Sequence, residues 1–163
     1  MIPRETTLLV IEHELAAAGL WAERHRVPLT WVPSTIEIRV VLTQPETEEV
    51  FYLRAILDEY RYLPPAWTFT DETWEAEPAM HLFPLVSATQ FGAPLFIRGK
   101  NGPIICAPFN RLAYAEHKGP HGDWRGPTNW LTAGQANQVK AHYLGDMLQI
   151  IHRDFTHSRA RMS

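Results

Sequence analysis

Cysteine is nearly missing from this chain: Cys106 is the only one among 163 residues. A single thiol cannot close an internal disulfide, and no cysteine pair exists to build a thiolate zinc site. Long apolar runs are missing as well. No stretch approaches the ~18 continuous apolar residues of a membrane span. The N-terminus shows no basic segment followed by an apolar core, so no signal peptide is expected. Positive charge is scarce too: 15 Lys and Arg against 18 Asp and Glu give a net charge of −3, and no basic block is longer than the tail Arg159-Ala160-Arg161. The electrostatic footprint of a nucleic-acid binder is therefore absent. A protein or small-molecule partner fits better, in a cytoplasm where a lone thiol stays reduced.

What is present describes a folded chain. Hydrophobic residues make up 45%, charged residues 20%, with 6 Trp and 13 Pro. The length suits one domain, 1–163, and is enough to bury most of its apolar surface. From Glu5 to Ala18, Leu8, Ile11, Leu15 and Ala18 recur at helical spacing opposite Glu12, His13 and Glu14, which predicts an amphipathic helix stopped by Gly19. Trp21 to Pro33 reads as irregular. Between Thr35 and Thr43, Ile36, Ile38, Val40 and Leu42 alternate with polar residues, the period of a half-buried strand. Gln44 to Thr47 is a polar turn, and a second strand follows from Glu49 to Leu57, making an antiparallel hairpin. A third strand spans Ala66 to Thr70, with Trp67 and Phe69 on one face.

Prolines then interrupt Asp71 to Gly102, where Leu95-Phe96-Ile97 is the best strand candidate. Ala107 to Trp130 reads as a long loop, which in a compact domain is more often functional than accidental. Thr132-Ala133-Gly134-Gln135 has the form of a capping box. It would open a last helix with Val139, Tyr143, Leu144, Met147, Leu148, Ile151 and Phe155 on one apolar face. From Thr156 a polar tail, 156–163, is expected to fray. Helix, antiparallel meander, irregular segment and helix together predict an α+β fold.

The candidate chemistry centres on Cys106. Free cysteines are often buried and behave as small hydrophobes, and Ile104-Ile105 before it suits that reading. Asn101-Gly102-Pro103 just upstream is turn chemistry, however, and a long polar loop begins just downstream. Loop borders are where reactive groups concentrate. Arg111, His117 or His121 could favour the thiolate. His117 and His121 also have the spacing of a metal-ligand pair, but Gly119-Pro120 breaks the helix such a pair would need, and no third ligand is evident. No metal and no cofactor is expected. Trp67, Phe69 and Trp74 read as core, Trp124 and Trp130 as anchors of the loop, and Asp123 as a turn residue.

Two segments in order give the chain a resemblance. Tyr60…Pro64-Pro65-Ala66-Trp67-Thr68-Phe69 resembles the Tyr-Pro…Pro-Pro-x-x-x-Phe segment of the ubiquitin-conjugating enzyme family, lacking its first proline. Asn101-Gly102-Pro103-Ile104-Ile105-Cys106 is similar to that family's Asn-Gly-x-Ile-Cys turn, with one extra residue. Trp124 and Trp130 both match the tryptophan that follows. The resemblance covers Glu5 to Phe155. It departs at the His-Pro-Asn triplet that precedes the cysteine in most members: here Phe96 to Lys100 holds no such triplet. The interval from cysteine to tryptophan is also longer. Such departures resemble divergent bacterial relatives, encoded beside ubiquitin-like modifiers and implicated in antiviral defence, in which a histidine takes the asparagine's role. His81, His117 and His121 are the candidates, with the two loop histidines first.

The resemblance implies a ubiquitin-conjugating-enzyme-like fold and an acyl transferase. Cys106 would accept a ubiquitin-like modifier from an activating enzyme as a thioester and pass it to an amine on a protein target. Covalent catalysis of this kind divides one hard transfer into two steps. Asn101, backbone N–H groups of the turn, or a loop histidine would donate to the oxyanion. His117, His121, Glu116 or Asp123 would take the amine's proton. The competing expectation is a catalytically inactive scaffold of the same fold, binding modifier or partner noncovalently. A third is a cysteine hydrolase pairing Cys106 with His121 or His142.

Overall fold

Alternation of apolar residues dictates the central sheet. The computed structural model describes residues 1–86, 93–133 and 140–163. It has an antiparallel meander of β1 (Leu29–Val32), β2 (Glu37–Thr43), β3 (Val50–Ile56) and β4 (Ala66–Thr70), in that spatial order. Register pairs Leu42 with Phe51, Val40 with Leu53 and Ile38 with Ala55, then Leu53 with Phe69 and Ala55 with Trp67. All of these are at most 1% exposed. Period-two alternation in each strand thus collects one continuous apolar face. Phe51, Phe69, Phe83, Phe96 and Phe155 meet on it edge to face, with ring centroids 5.2 to 6.1 Å apart.

The first helix, α1 (Arg4–His25), runs through Gly19 rather than stopping there. A glycine inside a helix costs only about 1 kcal/mol, and one more turn buries Trp21 and Ala22. Termination falls instead at Arg26, left-handed at φ 54°, whose N–H reaches the carbonyls of Ala22 and Glu23. The stretch read as irregular, Trp21 to Pro33, therefore holds the end of α1 and all of β1.

The second helix, α2 (Leu144–Thr156), starts later than the capping-box motif suggests. Thr132 lies in a turn, its hydroxyl donating to the Asn129 carbonyl. Gly134, Gln135 and Val139 fall outside the described residues, while Lys140 to Tyr143 is not helical and Tyr143 is 55% exposed. The cap comes from elsewhere: the Glu14 carboxylate on α1 accepts from the Leu144 N–H at 2.9 Å and from the Tyr60 hydroxyl at 2.8 Å. Leu144, Met147, Leu148, Ile151 and Phe155 then present the apolar face, each at most 1% exposed.

Three short pieces complete the frame. β5 (Pro84–Leu85) pairs with β8 (Ala160–Arg161), and β6 (Phe96–Gly99) pairs with β7 (Gly102–Ile105) as a hairpin. The tail does not fray: Ser158 is fully buried, Met162 is 3% exposed, and the Met162 N–H donates to the Phe83 carbonyl. The segment after β7 is wound into three 3-10 turns, at Arg111–Ala113, Ala115–His117 and Pro127–Asn129.

Candidate functional site

The β6–β7 hairpin determines where Cys106 emerges. Its turn is Lys100-Asn101, and Gly102 sits at φ 122°, a backbone position costly for any residue with a side chain. Ile104 and Ile105 are buried, and Cys106 is the first residue past the strand, half-buried, its N–H bonded to the Leu95 carbonyl at 2.7 Å.

The loop that follows is pinned by Asn110. Fully buried, its side chain accepts from the Trp67 and Leu112 N–H groups and donates to the Trp67 and Ile105 carbonyls. One amide thus ties β4, the end of β7 and the first 3-10 turn together. Sequence reading passed over it, since nothing local separates it from any other loop asparagine. Farther on, Lys118 turns left-handed at φ 65°, and the Gly119 and His121 N–H groups return to the Tyr114 and Ala113 carbonyls. A Cβ at Gly119 would stand 2.2 Å from the Ala113 carbonyl carbon, so the loop folds back only because position 119 has no side chain.

This fold-back delivers His121 to the thiol. Cys106 Sγ and His121 Nε2 are 2.6 Å apart. Behind the ring, Asp123 Oδ1 stands 3.7 Å from His121 Nδ1, within ion-pair range but beyond a hydrogen bond. Thiol, imidazole and carboxylate are aligned in the order that nucleophile, base and orienting group require. Asp123, read from sequence as a turn residue and as a possible proton acceptor, is therefore the third member of the row. Trp124 stacks against the face of the imidazole.

Burial favours the neutral form of both groups. Burial, followed by the nearby Asp123 carboxylate, pushes the Cys106 thiol up to about 11. Burial also pulls the His121 imidazole below its usual range, with Asp123 opposing. A neutral imidazole beside a neutral thiol is chemically able to accept its proton, and the two do not stand as an ion pair.

The other candidates lie elsewhere. Asn101 is at the hairpin turn, five residues from Cys106 along an extended strand, about 16 Å at the usual rise. Its amide donates to the Lys118 carbonyl at 2.8 Å and so ties the turn to the loop. His117 ends a 3-10 turn, lowered by burial and then by Arg111. It lines a cavity of about 550 Å³ together with Asn101, Lys100 and Lys118. Two walls of that cavity, Gly99 to Ile104 and His117 to Pro120, lead along the chain to Cys106 and His121. His81 lies in the turn Met80–Leu82, and His142 stands edge-on to Trp130. Neither pairs with the thiol.

Among the described residues, no three His, Cys, Asp or Glu side chains gather as a metal set, and no helix is long and apolar enough to cross a membrane. No family model, no curated protein and no solved structure matches the chain.

Proposed function

We propose that the protein is an acyl transferase that carries a ubiquitin-like modifier as a thioester on Cys106 and passes it to an amine. The observation that carries this reading is the 2.6 Å contact between Cys106 Sγ and His121 Nε2, with Asp123 behind the ring. The order of helix, antiparallel meander, cysteine-bearing hairpin and closing helix agrees with a ubiquitin-conjugating-enzyme-like fold. A protein partner is the consistent source of the acyl group, and an activating enzyme would present it already as a thioester.

In the first step the thiol proton moves to His121 Nε2 as Sγ attacks the incoming thioester carbonyl. The tetrahedral intermediate collapses, the donor's sulfur leaves as a thiolate, and the imidazolium returns the proton to it. In the second step a neutral amine attacks the Cys106 thioester and gives up a proton to His121. The C–S bond breaks, and Cys106 leaves as thiolate to be reprotonated by the imidazolium. The Asp123 carboxylate, 3.7 Å from Nδ1, favours the tautomer with its proton on that side, leaving Nε2 free as the base.

The test is a charging assay with ATP, an activating enzyme and a ubiquitin-like modifier encoded beside this gene, read on non-reducing gels. The wild type should give a thiol-sensitive adduct, Cys106→Ser a thiol-resistant one or none, and Cys106→Ala none. His121→Ala should slow both steps by about 100-fold or more, the usual contribution of a general base, whereas His117→Ala should leave both near wild type. Full conjugation by Cys106→Ala sinks the proposal. Release of free modifier to water in preference to an amine would make this a cysteine hydrolase instead. Noncovalent binding without an adduct would make it a scaffold.

A further inference from the structure

His121 has a neighbour that the transfer chemistry above leaves unused. The Trp124 indole lies flat against the imidazole, ring centroids 3.8 Å apart and planes 5° from parallel. Trp124 is 8% exposed and meets the fully buried Tyr114 ring edge-on at 4.9 Å. Tyr114 is also the backbone bridge partner of His121, and its hydroxyl is fixed on the Pro108 carbonyl at 2.8 Å. Imidazole and indole are thus held by the same anchored residue, and the stack is a fixed part of the site.

The indole N–H is buried with no hydrogen-bond partner among the described residues. That desolvation cost is one a phenyl ring in the same place would not carry. What indole offers beyond phenyl is its face, the strongest cation-binding surface among aromatic side chains. A cation forms against that face when His121 takes the Cys106 proton across the 2.6 Å contact.

We propose that Trp124 is a positioning residue for the Cys106–His121 pair, its π face stabilising the imidazolium that forms as the thiol ionises. The inference rests on Cys106 being a nucleophile but not on the identity of the acyl group it carries. Among the described residues, the titratable groups beside His121 are Cys106 from the hairpin and Asp123 from its own loop, with the Tyr114 phenol behind the indole. Asp123 is the one permanent charge among them. It stands at 3.7 Å with its side chain 65% exposed, so solvent screens it. The indole face is desolvated and therefore acts at full strength.

The experiment uses the full chain and no modifier. Cys106 alkylation by iodoacetamide is followed across about pH 5 to 11, from below the ordinary imidazole range up to the raised value of the thiol, about 11. The His121 imidazole is titrated by NMR in parallel, for wild type, Trp124→Phe and Trp124→Leu. Trp124→Leu should slow alkylation near neutral pH by about threefold to tenfold, the worth of one cation–π contact, and move the His121 titration to lower pH. Trp124→Phe should shift both in the same sense by less. If Trp124→Leu unfolds, the Phe variant still decides by the sign of its His121 shift. Unchanged titrations overturn the inference, as do equal losses in Phe and Leu, which would report packing rather than the ring face. A wild-type thiol inert at every pH overturns both this inference and the nucleophile reading. The expected ranking in a protein that no activating enzyme charges supports the inference and overturns only the modifier.

Discussion

Asn110 shows how much a single side chain can organise. All four of its hydrogen-bonding contacts are made with backbone in a site from which water is excluded. Truncation would leave the Trp67 N–H and the Ile105 carbonyl unpaired, and unpaired buried groups cost about 1 to 3 kcal/mol each. Asn110→Ala should therefore lower stability by about 3 kcal/mol, partly offset by relaxation. Urea denaturation measures this directly, and a loss below about 0.5 kcal/mol, the level of an ordinary surface change, would show that the amide clamps nothing. The same variant should also slow Cys106 alkylation, because the Ile105 carbonyl it holds is one residue from the thiol. At this scale the site was half legible. A lone cysteine after a turn and two histidines in a following loop are visible in the letters. Choosing His121 over His117 was not, because the choice depends on the left-handed turn at Lys118 and the bare backbone of Gly119, which determine where the loop reverses.

Between elements, the α1–α2 seam carries a pH dependence. His152 on α2 meets His25 at the end of α1 with ring centroids 5.0 Å apart, and Trp21 lies against both rings. Burial, then the neighbouring His25, lowers His152 to about 4 from an ordinary value of 6.5. A depressed folded-state value means that the fold prefers the neutral ring. The associated stability is fully present above about pH 6.5, drains away between there and about pH 4, and is flat below. Urea midpoints at about pH 7.5 and about pH 5 should fall in the wild type and fall less in His152→Gln, which cannot take the proton. Equal acid sensitivity in both would remove His152 as the cause. The seam also explains which element boundaries were readable. Strands β2 to β4 follow from alternation within a few residues, so their limits are local and legible. The start of α2 is set by Glu14, 130 residues away in sequence, and the end of α1 by the burial of Trp21 and Ala22. Thr132 and Gly19 carry the local signals for those boundaries, and tertiary contacts outweigh both.

For the whole molecule, the segment after α2 acts as a strap across the sheet. Gln44 donates to the Ser158 carbonyl at 2.6 Å, and Arg161 donates to the Val50 carbonyl at 2.7 Å with its guanidinium 4.0 Å from the Phe51 ring centroid. Arg161 also pairs with Glu49 at 3.3 Å, and Met162 closes over the core beside Phe83. From sequence this stretch reads as polar and loose, because its one large apolar residue is Met162 and its two-residue strand has no period to detect. Its order comes from partners on the β2–β3 turn and on β5. Deleting residues 158–163 would expose the Phe51 and Phe83 surroundings and take from the Gln44 side-chain NH2 its Ser158 acceptor, while its oxygen keeps the Glu46 and Thr47 N–H groups. Burying one methionine is worth about 1.5 to 3 kcal/mol, and one buried hydrogen bond adds about 1 kcal/mol. The deletion should therefore cost about 3 kcal/mol or more by urea denaturation. It should also lower the thermal midpoint while leaving the pH profile of Cys106 alkylation in place at room temperature, since among the described residues no hydrogen bond, ion pair or ring contact joins the strap to Cys106, His121 or Trp124. A truncated chain with wild-type stability would show that the strap is idle in solution. An altered pH profile in a folded truncation would mean instead that the sheet edge and the thiol site are coupled through the core.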